Sequence, residues 1–121
     1  MLTEIVSPKE VVFSENIEFI IIPAEEGDIG VLKNHTPIIT NLKPGLIYIY
    51  KNKVIYKQFF ISSGICEITQ ETCIILTEEI EDINEINIQE IKNSLNQNGE
   101  NDLLKNKLKV LEEKHYTNNI L

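Results

Sequence analysis

Histidine beside carboxylates is the side-chain set from which divalent-metal sites are commonly built, and His35 follows Glu25, Glu26 and Asp28 in the stretch EEGDIGVLKNHTPIITNLKPG, residues 25–45. Acids flanking a glycine are more often solvated turn residues, and one loop histidine more often hydrogen-bonds at a surface, so no metal is expected. Nucleophilic chemistry is no better supplied. Ser62 and Ser63 sit in SSGIC, which is not a G-x-S-x-G elbow, and His35 and His115 lie far apart in the chain. The glycines of EEGDIG are wrongly spaced for G-x-G-x-x-G, and no phosphate-binding G-x-x-x-x-G-K-[ST] occurs. Every basic residue is a lysine, so the bidentate guanidinium fork is absent. The residues therefore predict no catalytic site and no cofactor.

Cys66 and Cys73 are too few for a four-cysteine zinc site or a disulfide framework. If Gln70–Glu71 turns one strand into the next, the two thiols face one side diagonally, and buried thiols are expected. The net charge of -8 argues against nucleic acid, which demands a basic surface to displace counterions, and against direct lipid insertion. The start MLTEIVSPKE lacks a basic segment leading into an apolar one, and the longest apolar runs, such as FIII at Phe19–Ile22, have strand length. A soluble protein that is not exported is expected.

The elements that must carry these residues change character once. Up to about residue 80 the alternation has period two, with Ile17, Phe19 and Ile21 on one face, a run from Leu46 to Tyr50, and Ile55, Phe59 and Ile61 on one face of the next strand. Turn signals recur between short strands, which predicts an all-β sandwich. After the acidic run Glu78–Glu85 a capping box, Asn87 to Glu90, predicts a helix with Ile88 and Ile91 on one face and Gly99 as its stop. Leu104, Leu108 and Leu111 at i, i+4 and i+7 predict a second helix, with Lys105, Lys107, Lys109 and Lys114 on its flanks and far side. Helices of about three turns are marginal alone in water, so their stripes must find a partner surface. The expected fold is an all-β N-terminal sandwich, residues 1–82, followed by a small C-terminal α-helical hairpin, residues 83–121, α+β overall.

On that sandwich, residues 25–45 form an ordered loop with few ligand-binding groups, the kind that meets another protein. Pro37 and the Pro44-Gly45 pair restrict the backbone, the latter suiting a type II turn with positive φ at glycine. A positive φ at Gly30 would make a β-branched replacement costly there.

The same stretch closely resembles the epsilon-subunit family of F-type ATP synthases. The family's pattern of two spaced glycines, an aliphatic pair, His-x-Pro, two aliphatics and Thr, then Lys-Pro-Gly is present as Gly27, Asp28, Gly30, Val31, Leu32, His35, Thr36, Pro37, Ile38, Ile39, Thr40, Lys43, Pro44 and Gly45. The likeness continues through IVSPKEVVFSENIEFIIIPAEEG before it and FFISSGICEITQETCIILTEEIED after it. The resemblance implies a non-catalytic rotor subunit of the central stalk, with catalysis elsewhere in a rotating enzyme complex. It places the Asp28 turn and the His35 loop at the end of the sandwich facing the c-ring, with His35 and Thr40 near gamma; Gly27, Gly30, Pro37, Pro44 and Gly45 would shape the loop.

In the hairpin, ATP-binding relatives carry an aliphatic-Asp-x-x-Arg-Ala pattern, where this chain reads Ile88, Gln89, Lys92 and Asn93, so nucleotide sensing is not expected. The resemblance also implies that the hairpin, with Ile88, Ile91, Lys92, Leu104, Lys105, Leu108 and Lys109, restrains hydrolysis through the alpha/beta catalytic head. The implied location is peripheral, on the cytoplasmic face of a bacterial membrane or, alternatively, a plastid or mitochondrial one. A competing reading of the architecture is a free-standing sandwich that binds a small ligand under a helical lid.

Overall fold

A computed structural model of the protein describes residues 1–85 and 102–112. Period-two alternation resolves into strands β1 (Leu2–Val6), β2 (Val11–Asn16), β3 (Phe19–Ala24), β4 (Gly27–Leu32) and β5 (Ile38–Leu42). Strands β6 (Gly45–Lys51), β7 (Val54–Ile61), β8 (Gly64–Ile68), β9 (Thr72–Thr77) and β10 (Ile80–Asp82) follow, then a 3-10 turn (Ile83–Glu85) and helix α1 (Asp102–Glu112). Turn chemistry sets several junctions. Asn52 and Lys53 both take positive φ, 53° and 66°, in the two-residue loop joining β6 to β7, as the favoured twist of such hairpins requires.

The strands run β10-β7-β6-β3-β5-β8-β9-β1-β2, with β4 on the free side of β3, and β1 and β9 form the parallel pair. β3 is the corner strand. Phe19 to Ile21 pair with β6 while Ala24 pairs with Leu42 of β5, which folds one continuous sheet into two layers. Between the layers lies the core predicted for a sandwich: Ile5, Phe13, Ile20, Ile22, Val31, Ile47, Ile49, Phe59, Ile61, Ile68 and Ile75, all buried. Each fully buried aliphatic side chain stabilises the fold by about 1.5–3 kcal/mol relative to exposure. Cys66 and Cys73 join this core as expected, diagonally placed with their sulfurs 3.5 Å apart. Contact with the Cys73 thiol, reinforced by burial, raises the Cys66 pKa, so it stays a thiol.

The sheet has a second buried face. Ile21, Leu46, Tyr48, Tyr50 and Phe60 point outward from β3, β6 and β7 and are covered by Leu111 of α1, with Leu108 and Val110 packed alongside. Thus β6 is buried on both sides, which is why its sequence reads GLIYIYK without polar alternation. The single-face reading of Ile55, Phe59 and Ile61 is corrected here. Tyr50 pairs with Ile55 but Ile49 pairs with Lys57, so Tyr56 is an extra residue, and this bulge turns Ile55 toward the helix side while Phe59 and Ile61 stay inside. Ile17 likewise belongs to the inner core, whereas Phe19 and Ile21 belong to the outer cluster.

The second predicted helix is present as α1, with Leu108 and Leu111 on its buried side; the side chain of Leu104 and the predicted first helix, with Ile88, Ile91 and Lys92, lie outside the described residues. Lys107 is buried on the same side of α1 as these leucines, and Lys105 and Lys109 are exposed.

Candidate docking surface

Residues 25–45, expected as one ordered loop, are mostly strand: they contain β4 and β5 and reach the first residue of β6, because their aliphatic residues pair into the sheet, and only the turns at the two ends of β4 are loop. Glu25 and Glu26 form the tight turn from β3 into β4, and Gly27, at φ 138°, absorbs a backbone conformation that other residues rarely adopt. The amide of Glu25 donates to Asn41 O at 3.1 Å and that of Lys43 to Pro23 O at 2.9 Å, which fastens the turn to β5. Asp28 and Thr40 consequently line one shallow groove of about 480 Å³ together with Glu25, Glu26, Ile39 and Asn41.

His35 lies at the other end of β4, beyond Leu32. Its backbone amide donates to Leu32 O at 3.1 Å, and its Nδ1 meets Thr36 O at 2.7 Å, so Nδ1 carries the proton and donates. The neighbouring Asn34, at φ 69°, donates its amide to Gln70 O at 2.7 Å and ties this loop to the β8–β9 turn. That turn is itself closed by the Thr69 and Thr72 hydroxyls, 2.6 Å apart. Asp28 and His35 therefore do not share an end of the sandwich as the resemblance implied. A strand rises about 3.3 Å per residue, and β4 runs its length between them.

Two glycine expectations are also corrected. Gly30 has no positive φ; its place is fixed by the Phe19 ring, whose edge would lie 2.8 Å from an added Cβ. Gly45 has no positive φ either, so the Pro44-Gly45 type II turn is not formed. It opens β6 and makes room for Pro23, 2.7 Å from where its Cβ would stand. Pro37 precedes β5 in a trans peptide.

A rotor role implies an exposed apolar strip on one sandwich face, but its residues were not named from the sequence. On the outer surface of the β5-β8-β9-β1-β2 layer, Ile65 pairs with Leu76, Leu76 with Val6 and Val6 with Val11, an apolar row across four strands. Leu76 and Val11 remain more than half exposed, and Ile39, 71% exposed, stands at one end of the next row. The bulge at Val12 is what turns Val11 outward into the row, because Ile5 pairs with Phe13 but Val6 pairs with Val11. Isolated exposed aliphatics are ordinary, but a contiguous row is a mark of an interaction surface. The signal was available in the alternation of β8 and β9, where Ile65 and Leu76 fall out of phase with the buried Cys66 and Ile75.

The chain matches, over residues 1–83, the family described as ATP synthase, Delta/Epsilon chain, beta-sandwich domain. Among curated relatives, an ATP synthase epsilon chain of Rhodospirillum rubrum is 32% identical over 80 residues, 66% of this chain and 60% of that one. Those of Granulibacter bethesdensis and Rickettsia bellii are 36% and 37% identical, each over 76% of this chain and over 68% and 87% of their own. The aligned part thus spans less than two thirds of the Rhodospirillum rubrum chain's length. Among solved structures, a chain of the Euglena gracilis mitochondrial ATP synthase superposes with TM-score 0.73 at 19% identity, over 91% of this chain and 73% of its own. A chain of the Tetrahymena thermophila mitochondrial ATP synthase central stalk and c-ring superposes with TM-score 0.65 at 12% identity, over 91% and 92%.

Proposed function

The chain belongs to the ATP synthase delta/epsilon family through its β-sandwich, and from that membership we propose that it is the non-catalytic epsilon subunit of a proton-transporting ATP synthase. In this role it docks on the gamma subunit and the c-ring, turns with them and transmits rotation while ATP is made elsewhere. The observation that carries this reading is the apolar row Ile65-Leu76-Val6-Val11 on a rigid sheet face. A rotor part must resist torque, and contacts spread across a sheet do so better than one strong point. The buried aliphatics of such a contact supply most of the affinity, while Asp28 and Thr40 in one groove and His35 at the far end of β4 orient it. We assign the row to gamma and the Asp28 groove to the c-ring, at the cytoplasmic face of a bacterial membrane; an organellar membrane is the alternative.

The lid reading is weaker because Leu108, Val110 and Leu111 pack straight onto Tyr48, Tyr50 and Phe60, filling the space a ligand would need beneath α1. In the division proposed here, residues 1–82 bind the rotor and residues 83–121 form the regulatory hairpin that restrains hydrolysis at the alpha/beta head.

Leu76→Asp combined with Ile65→Asp is expected to melt within a few degrees of the parent, since both side chains face solvent, and to lose more than tenfold in binding to gamma, because two charges must be desolvated at the contact. Undiminished binding would exclude the row as the interface. Asp28→Ala with His35→Ala should likewise leave melting unchanged while lowering ATP-driven proton pumping in the assembled enzyme. Unchanged pumping and assembly would remove both residues from the interface.

ATP is expected to bind the isolated chain only weakly, since Gln89 and Lys92 stand where binding relatives have an acid and a guanidinium. Calorimetric titration yielding a dissociation constant at or below about 10 μM, roughly -7 kcal/mol, would overturn this expectation.

A further inference from the structure

Helix α1 lies on the aromatic outer face of β3, β6 and β7 through Leu108, Val110 and Leu111, and the charged Lys107 is buried with them. Lys107 is 8% exposed; its ammonium pairs with the Glu81 carboxylate of β10 and stands 5.4 Å from the centre of the Phe60 ring. The next residue, Asp82, faces the other side of β10, where it pairs with Lys57 at 3.5 Å, so of the two β10 carboxylates Glu81 is the one on the helix side.

Apolar burial is non-directional, and a stripe of aliphatic residues can sit on an aromatic sheet in more than one register. A buried ammonium is less tolerant. Shifted away from its carboxylate it loses its charge partner while its stem stays packed on the sheet, a worse state than the loss of a little apolar contact from a small slide. The Phe60 ring adds a second directional constraint, because the cation is favoured over the face of the ring. We propose that Lys107 is the residue that specifies where α1 docks. The β3–β6–β7 face is then a helix-recognition site whose preferred occupant brings one lysine to the corner formed by Glu81 and Phe60, with α1 as the resident occupant. This inference concerns the folded chain alone and holds whether or not the chain assembles in a stalk.

A charge-swap cycle in the full chain tests it, read by amide hydrogen exchange of residues 102–112, with the β1 and β9 amides as a control for the inner core. A helix this short is marginal in isolation, so its protection reports docking. Lys107→Glu and Glu81→Lys should each lower α1 protection about tenfold, since each juxtaposes like charges at a contact that is buried on the helix side, although Glu81 itself is about half exposed. The double exchange, Lys107→Glu with Glu81→Lys, should restore protection to within about threefold of the parent, and Lys107→Arg should retain it; core amides should be unaffected throughout. Single variants as protected as the parent would overturn the proposal. So would a double exchange no better than the singles, since that would leave apolar contact as the determinant. Should the double exchange disturb the core amides, the Lys107→Arg variant decides: α1 protection lost with a guanidinium in place would equally overturn it.

Discussion

Gly64→Ala should lower the melting temperature of the chain by roughly 12–24 °C, and Gly64→Val should leave little folded protein at 37 °C. An added Cβ at this position would stand 2.4 Å from the carbonyl oxygen of Leu76 and 3.3 Å from the Thr77 side chain. The obstacle is backbone in the adjacent strand. Gly64 is paired with Leu42 on one side and Thr77 on the other, so relieving the clash means pulling β8 from β9 in the middle of a layer. Such overpacking costs about 3 kcal/mol or more, a large part of the roughly 5–15 kcal/mol that holds a small domain together. For a domain of this size each kcal/mol shifts the midpoint by roughly 4–8 °C. Gly30→Ala provides the contrast: its obstacle is the edge of the Phe19 ring, which can shift, and a loss near 1 kcal/mol is expected. Circular-dichroism melts of both variants check the pair. Equal losses would mean that strand backbone and ring edge yield alike, contrary to the packing described.

Ending the chain at Asp82 should leave a sandwich that melts in one cooperative transition but associates with itself. The inner core is built from residues between Ile5 and Ile75, with Ile80 packed against it, and needs nothing from α1. Leu108 and Leu111 instead close the outer cluster, so their removal uncovers Ile21, Leu46, Tyr48, Tyr50 and Phe60. The lost burial is partly offset because the helix no longer has to be ordered, and the midpoint should fall by no more than about 10 °C. The uncovered aromatic face is the kind of surface that drives association, so the sedimentation coefficient should rise with concentration. In the assembled enzyme the shortened chain should still support synthesis and lose at most a brake on hydrolysis. Non-cooperative melting would show that the helical part completes the domain core.

The sandwich was legible because its inner strands alternate, and the Cys66–Cys73 arrangement followed from the Gln70–Glu71 turn alone. The outer cluster was not legible as such. Its residues interleave with inner-core residues along β3 and β6, and a run apolar on both phases carries no period to say what covers each side. Single-residue bulges at Val12 and Tyr56 are equally silent in sequence, yet each reverses the facing of what precedes it. Of the candidate contact residues, Asp28 and Thr40 come together because the Glu25 and Lys43 amides fasten the turn to β5, while His35 is carried away by the length of β4. The spacing of the motif residues along the chain contained neither outcome. Lys107 was read as one of several flanking lysines. Its carboxylate partner is Glu81, 26 residues earlier, a pairing that no local pattern encodes.

The most direct measurement of the stalk assignment is affinity recovery of the tagged full chain from membranes of its own source cells, solubilised in mild detergent, with the co-purifying polypeptides identified by mass spectrometry. The expected result is recovery of the other ATP synthase subunits, gamma and the c-subunit among them, in constant proportion to the chain. Recovery of the chain alone, under conditions in which the ATP synthase itself stays intact, would contradict it.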